Sequence, residues 1–466
     1  MSPASGGAAL ESMPLPAEAP ADLAAGTMAP TPVATPDTMF FENYGVNPFI
    51  DTEDDRLSTF AMDVDTGSYT VARRYVQDGI LPPKDAIRVE EFVNYFDYNY
   101  PLPDEGQTFA VHLEGSPSPF GQTDRYEIVR IGIQGYAIPP EARQDVALTF
   151  VIDVSGSMDR EDRLTLVKRA LTLLVEELRP TDSVAIVVYG SDARAVLPPT
   201  RGDEKDRILS AIYALNPEGS TNAEAGLLLG YAQAEIAYDA ERINRVILLS
   251  DGVANVGQTG PEAILRTIEE YAMRGVYLTT VGFGLGNYND VLMEQLANQG
   301  DGIYAYVDNI REARRIFVED LSGTLQAIAK DAKVQVDFNP EVVARYRLLG
   351  FENRAIADDE FRDDTVDAGE IGAGHSVTAL YEIKRHPDVE GPIATVYLRW
   401  QDPQSREVSE VNVTLDSAQL TPAFTEASPS FQLAVIVAEY AEVLRESYWA
   451  QENTLAGVQE EAERIG

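Results

Sequence analysis

Residues 146–157 read VALTFVIDVSGS and contain the pattern that decides the fold. An almost uninterrupted run of apolar residues leads into Asp153, and two serines follow at Ser155 and Ser157. Strands that are buried on both faces show such continuous runs, and they are typical of parallel sheets. Open parallel sheets bind their ligands beyond the carboxyl ends of the strands. The stretch therefore predicts a central strand that brings one carboxylate and two hydroxyls to a ligand-binding edge.

The same apolar pattern returns downstream and alternates with helical patterns. We predict further strands at 183–190, 245–252, 276–284 and 303–307, with RAVLPP (194–199) as an antiparallel edge strand. Helices are predicted at 161–178, 204–214, 222–238, 261–273, 289–298 and 310–321. Buried strands separated by helices of this length indicate a doubly wound, Rossmann-like α/β domain with a parallel sheet.

The segments on either side of this domain have a β-rich pattern. Strands are predicted at 109–113 and 126–134 before the domain, and at several places within 333–416 after it. Because an isolated hairpin is marginal in water, we expect the two sets to pair in one β-sandwich, with the α/β domain inserted between them. The predicted organisation is a disordered Ala/Pro-rich linker (1–38), an α+β region (39–104), sandwich strands (105–145), the α/β domain (146–323) and a β-rich domain that ends in a helix (324–466).

Composition excludes several classes of function. The 466 residues contain 36 Lys and Arg against 76 Asp and Glu, a formal net charge of −40. Nucleic-acid binding needs a basic surface, so no nucleic acid is expected as a partner. The sequence has no cysteine and only three histidines, which excludes thiolate metal sites and disfavours histidine-rich ones. No apolar run is long enough to suggest a membrane span.

Two further loops are expected at the same edge of the α/β sheet. Residues 219–222 (GSTN) open a predicted helix and add a hydroxyl, whereas residues 250–252 (SDG) end a predicted strand and add a second carboxylate, Asp251. Together with Asp153, Ser155 and Ser157 they form a set of oxygen donors. Such hard donors suit Mg²⁺, Ca²⁺ or Mn²⁺.

In this combination of motifs the chain resembles the von Willebrand factor type A domain. DVSGS, GSTN and SDG match the three segments of its metal-ion-dependent adhesion site. The resemblance implies that Asp153, Ser155, Ser157, Thr221 and Asp251 hold one ion, Mg²⁺ or else Ca²⁺ or Mn²⁺. Ser220 remains an alternative to Thr221.

The flanking segments extend the resemblance to residues 40–466. NPFID (47–51), STFAMDVDTGSY (58–69) and RVEEFVNYF (88–96) are similar to segments of a bacterial family of YfbK-like proteins, which combine an A domain with a C-terminal domain. Members often begin with a signal or lipoprotein segment, so the resemblance implies the cell envelope or periplasmic side. Residues 1–38 have no basic or apolar region of a signal peptide, and the genomic sequence upstream of Met1 would show whether such a segment precedes them.

We expect a binding module rather than an enzyme. Two carboxylates and neutral hydroxyls leave a divalent ion with positive character and an open position, which an Asp or Glu of a protein partner can fill. The expected partner contacts are Asn222, Asn255, Gly284 and Asn287. A metal-assisted hydrolase is the first alternative, although no general base is evident beside the site. The second is an A domain that serves only as a scaffold, which the intact set of oxygen ligands disfavours.

Overall fold

The computed structural model describes residues 39–120, 126–252, 261–285, 288–319 and 325–466. The predicted linker at 1–38 lies outside the described residues. The strands are β1 (Ile50–Asp51), β2 (Leu57–Ala61), β3 (Phe109–Pro117), β4 (Tyr126–Gly135), β5 (Val146–Asp153), β6 (Ser183–Tyr189), β7 (Ala193–Arg201), β8 (Ile243–Ser250), β9 (Val276–Phe283), β10 (Tyr304–Val307), β11 (Ala327–Phe338), β12 (Val343–Leu349), β13 (Gly369–Gly372), β14 (Ser376–Arg385), β15 (Pro392–Gln401) and β16 (Val408–Asp416). The α-helices are α1 (Gly67–Gln77), α2 (Val89–Asn94), α3 (Leu164–Glu177), α4 (Lys205–Tyr213), α5 (Ala223–Ala237), α6 (Pro261–Ala272), α7 (Asp290–Gln299), α8 (Ile310–Arg314), α9 (Pro429–Leu444) and α10 (Leu455–Ile465).

Six strands form the central sheet of the α/β domain, in the order β10-β9-β8-β5-β6-β7. Its strands run parallel except β7, which pairs antiparallel with β6, so the predicted edge strand RAVLPP is confirmed. Every residue of β5 is buried, as its apolar run predicts. Helices α3, α4 and α8 contribute to the apolar core on one face, and α5, α6 and α7 to the core on the other. The doubly wound fold is therefore confirmed, with its switch point at β5.

The β-sandwich is assembled from strands on both sides of the α/β domain. One sheet has the order β1-β12-β14-β4-β3, and the other has β13-β11-β15-β16 with β2 also paired to β11. β4 pairs antiparallel with β14, placing Ile131 opposite Ala379. The apolar faces of the two sheets enclose one core. The predicted pairing of 126–134 with the later strands is thus confirmed, and the α/β domain is an insertion between sandwich strands.

Helix α9 covers the sandwich and begins at a well-formed cap. The Ser428 side chain accepts a hydrogen bond from Phe431 N, and Pro429 occupies the first turn, where its missing N–H costs nothing. The helix packs against α2 in a common apolar cluster. In the described part of the chain, no helix combines the length and the apolar character that crossing a membrane requires.

A partly buried arginine, Arg354, joins three parts of the chain. Arg354 follows β12 and lies within 3.0 Å of Asp63, 3.3 Å of Asp65 and 3.0 Å of Glu294. Two of these acids precede α1, and the third lies on α7 of the α/β domain. All three carboxylates are buried. The N-terminal region, the inserted domain and the sandwich therefore share one ionic contact.

Replacing this arginine should destabilise the whole fold. Arg354→Met leaves the buried carboxyl groups of Asp63 and Asp65 without their arginine, whereas Glu294 keeps Arg88. Loss of a buried partner typically costs about 3–5 kcal/mol. Arg362→Met is the matched control, because Arg362 pairs with Glu410 in an exposed position where such a pair contributes about 1 kcal/mol or less. Urea denaturation of both variants measures the difference. Equal losses in the two variants would contradict the interpretation of Arg354 as a connecting residue.

Candidate functional site

Three loops meet at the carboxyl edge of the α/β sheet. They are residues 153–157 at the end of β5, 218–222 before α5 and 250–252 at the end of β8. Gly156 N donates a hydrogen bond to Gly219 O at 3.1 Å, which fixes the first two loops against each other. Gly219 has a φ of +73°, and a Cβ there would stand 2.6 Å from Ser191 Oγ, so only glycine suits this close approach. The three predicted segments are thus neighbours.

Asp153 is the most deeply buried member of the set. Its Oδ1 accepts a hydrogen bond from Ser155 N at 2.8 Å, and its Oδ2 accepts one from Ser250 Oγ at 3.0 Å. Burial raises the pKa of Asp153 to about 6, although these hydrogen bonds oppose the shift. The carboxylate is therefore held in one orientation, in surroundings where a nearby cation would favour its ionised form.

A row of oxygens connects this loop to the loop after β8. Ser155 Oγ lies 3.0 Å from Ser157 Oγ, which in turn donates to Asp251 Oδ1 at 3.1 Å. Ser155 and Asp251 are buried, whereas Ser157 between them is exposed, so the row reaches the surface at its middle. Burial also raises the pKa of Asp251, against the opposing effect of Arg163. Carboxylates at the base and a hydroxyl at the rim make the set accessible to an ion from solvent.

The loop before α5 contributes residues with different surroundings. Thr221 is half-buried, whereas Ser220 is exposed and its Oγ lies 3.2 Å from Ser191 Oγ. The Asn222 side chain caps α5 by accepting a hydrogen bond from Ala225 N at 3.2 Å. Its oxygen therefore already has a role in the helix, which the sequence motif did not reveal.

The other predicted partner contacts are only partly described. Asn255 and Asn287 lie outside the described residues. Gly284 is buried at the end of β9 and faces the side chain of Arg163 rather than solvent. Of the four predicted contacts, Gly284 and Asn222 thus have roles within the fold at this edge of the sheet.

Arg163 belongs to the site and was missed in the sequence. The residue immediately precedes α3, and its side chain is 6% exposed. Its Nη1 pairs with Asp251 Oδ2 and donates to Ser157 O at 2.9 Å, and its Nη2 donates to Leu285 O at 2.6 Å. Within the predicted helix 161–178 it looks like any charged residue of a helix surface, so no linear signal distinguishes it.

The donor set fits a hard divalent ion. Among the residues that the structure describes, no three His, Asp or Glu side chains converge on one metal position. The candidate set instead combines two carboxylates with serine hydroxyls. Oxygen ligands of this kind suit Mg²⁺ and Ca²⁺ and offer nothing to softer metals.

Three family models match the chain. Residues 147–321 match the model described as von Willebrand factor type A domain, and residues 323–465 match the C-terminal region of YfbK. Residues 35–129 match a model described as von Willebrand factor. Together these models span the described residues almost completely.

Individual proteins show the same relationship. YfbK of Escherichia coli K12 is 36% identical over 456 residues, which cover 92% of this chain and 78% of that protein. Human inter-alpha-trypsin inhibitor heavy chain H3 is 29% identical over 254 residues, 53% of this chain and 25% of the relative. Among solved structures, a von Willebrand factor type A protein from Catenulispora acidiphila aligns with a TM-score of 0.45 and 15% identity, over 78% of this chain and 91% of that one.

Proposed function

Because the chain belongs to the YfbK family of von Willebrand factor type A domain proteins, we propose that it is a metal-dependent module that binds a protein partner through a carboxylate. Domains of this type commonly mediate protein interactions. The observation that carries the proposal is the continuous chain of hydrogen bonds from Asp153 through Ser155 and Ser157 to Asp251. It connects a buried pair of carboxylates to an exposed hydroxyl.

Each residue of the proposed site has a distinct task. Asp153 and Asp251 supply the negative charge that attracts one Mg²⁺, Ca²⁺ or Mn²⁺ ion, and Ser155, Ser157 and Thr221 add neutral oxygens. The hydrogen bond from Gly156 N to Gly219 O holds the loop that carries the two serines against the loop that carries Thr221. When bound, the ion supplies an open coordination position to a carboxylate oxygen of the partner. The protein recognises its partner without any covalent step.

The alternative of a metal-assisted hydrolase has less support. Such an enzyme needs a general base within reach of the bound water. His112 lies on β3, His375 precedes β14 and His386 follows β14, so all three histidines belong to the sandwich. We therefore propose recognition rather than catalysis.

Titration calorimetry with Mg²⁺ and Mn²⁺ tests the metal site directly. We expect one ion per chain, and loss of binding in the double variant Ser155→Ala/Ser157→Ala, because both hydroxyls are removed while the buried core is unchanged. Thr221→Ala should weaken binding by tenfold or more, and Ser220→Ala serves as its matched control because Ser220 is exposed and contacts Ser191. If Ser220→Ala weakens binding and Thr221→Ala does not, the assignment of the threonine is wrong.

Partner capture tests the second half of the proposal. Bound proteins should be released by EDTA, recovered after addition of Mg²⁺, and lost again in Ser155→Ala/Ser157→Ala. A partner that stays bound equally in EDTA and to the double variant would place the recognition surface elsewhere on the molecule.

A further inference from the structure

Arg163 gives the candidate metal site a fixed positive charge. Its guanidinium contacts Asp251, the carbonyl of Ser157 and the carbonyl of Leu285, which lie on three separate loops. At 6% exposure the side chain is shielded from solvent, and it cannot reach a protein partner. Nε has no hydrogen-bond partner among the described residues. The arginine therefore acts on the site through its contact with Asp251 and not through a contact with the partner.

The fold makes room for this arginine at Gly284. Gly284 has a φ of +74°, and a Cβ at this position would stand 2.5 Å from Arg163 Nε and 2.6 Å from its Cγ. The chain after β9 thus packs its backbone directly on the arginine side chain. A side chain at residue 284 would force the arginine side chain to shift, so the contact depends on both residues.

The charge of Arg163 changes the electrostatics of the set. Asp153 and Asp251 alone carry two negative charges, and the guanidinium leaves one net negative charge. Charges that are buried together interact more strongly than charges in water and are screened little by salt. A divalent ion that binds near Asp251 must therefore overcome repulsion from a cation already paired with that carboxylate.

We propose that Arg163 is an internal counterion that lowers the affinity of the site for its divalent ion, a role that rests on the proposed function. The ionic contact with Asp251 stabilises the carboxylate independently of the ion, and the positive charge opposes the entry of a second cation. Arg163 also keeps Asp251, Ser157 and the Leu285 loop together through three contacts. Its charge and its hydrogen bonds thus have separable effects, and two variants distinguish them.

Calorimetric titration with Mn²⁺ compares three variants with the wild type. Arg163→Gln retains hydrogen-bond donors but loses the charge, so it should bind Mn²⁺ at least about tenfold more tightly. Arg163→Lys retains the charge and should stay within about threefold of the wild type. Arg160→Gln is the matched control, because it removes the same charge from an exposed position three residues away and should change nothing measurable.

Thermal unfolding in EDTA provides a second measurement. Arg163→Gln should melt several degrees below the wild type because Asp251 loses its partner. Adding Mn²⁺ should raise the melting temperature of Arg163→Gln by more than it raises that of the wild type. If Arg163→Gln does not fold in EDTA, Gly284→Ala replaces it in the Mn²⁺ titration, since a Cβ there would stand 2.5 Å from Arg163 Nε and force the arginine side chain to shift.

The possible outcomes separate this proposal from the proposed function. If the wild type binds Mn²⁺ and a folded Arg163→Gln binds it no more tightly, the counterion role is wrong. If Gln and Lys both weaken binding, Arg163 acts only by positioning Asp251, and the counterion role is again wrong. If neither the wild type nor any variant binds Mn²⁺, the metal site itself fails.

Discussion

Expressed without the rest of the chain, residues 325–466 should fail to fold. Strand β14 lies inside its sheet between β12 and β4, and β4 comes from before the α/β domain. The isolated segment also loses β2, which pairs with β11, and β1, which pairs with β12. Buried apolar residues of the missing strands, such as Phe60 and Ile131, are part of the same core. The segment would keep an exposed core face and unpaired strand edges, which favour aggregation.

Co-expression provides the matched control. Residues 39–135 contain the four missing strands, β1 to β4, and should form a soluble complex with residues 325–466. Circular dichroism and limited proteolysis measure the outcome, with the full chain as reference. A cooperative thermal transition of 325–466 alone would show that the sandwich core does not depend on the earlier strands.

The sequence predicts the α/β sheet well because each of its strands has a strong local signal. The run of apolar residues in β5 and the turn residues after it are contiguous, so the strand and its edge are evident without tertiary contacts. The predicted pairing of 126–134 with later strands also holds, because two strands cannot bury themselves. How the sandwich strands divide between its two sheets was not predictable. That division depends on which strands pair with each edge of β11, and no local pattern specifies these pairings.

The site shows the same limit on a smaller scale. Asp153, Ser155 and Ser157 lie within five residues, so their meeting follows from the chain itself. Arg163 reaches Asp251 across 88 residues, and Arg354 reaches Asp63 across 291. Contacts of this kind are set by how the elements pack, and a single charged residue carries no mark of its distant partner. The predicted start of helix α3 at residue 161 illustrates the point, because the helix begins at Leu164 and leaves Arg163 free to turn inward.

Buried carboxyl groups lead to a prediction about pH. Burial raises the pKa of Glu91 to about 8, with further upward shifts from Glu294 and Asp63. Burial and the neighbouring Glu352 raise the pKa of Glu90 to about 7. Asp65 is shifted well upward by burial and by Asp63. Around Arg88 and Arg354 the acids outnumber the arginines, so the folded protein retains protons that the unfolded chain has released.

Stability should therefore fall as the pH rises from 6.5 to 8.5. From pH 6.5 up to its own folded-state pKa, each of these carboxyls is ionised in the unfolded chain and protonated in the folded state, so folding takes up protons and raising the pH opposes it. Each carboxyl that remains protonated contributes a slope of about 1.4 kcal/mol per pH unit. His375 has the opposite effect, since burial lowers its pKa to about 4, but this acts only below its ordinary pKa near 6.5. Between pH 6.5 and 8.5, His375 therefore does not affect how stability changes with pH.

Glu439 offers a way to isolate one carboxyl from the rest. It lies on α9, far in sequence from the loops of the candidate metal site. Its burial, and to a lesser extent the negative charge of nearby Glu442, raise the pKa of Glu439 to about 8. Asn453 Nδ2 donates to its Oε1 at 2.6 Å, a hydrogen bond that glutamine can also accept.

Urea denaturation at pH 6.5, 7.5 and 8.5 in the presence of EDTA should show a clear decline in the free energy of unfolding for the wild type and a shallower one for Glu439→Gln. The two proteins should differ least at pH 6.5, where the carboxyl is protonated in the folded state, and most at pH 8.5. Parallel curves would mean that Glu439 ionises at the same pH in both states, and a wild-type stability that rises with pH would mean that the arginines neutralise the buried acids completely.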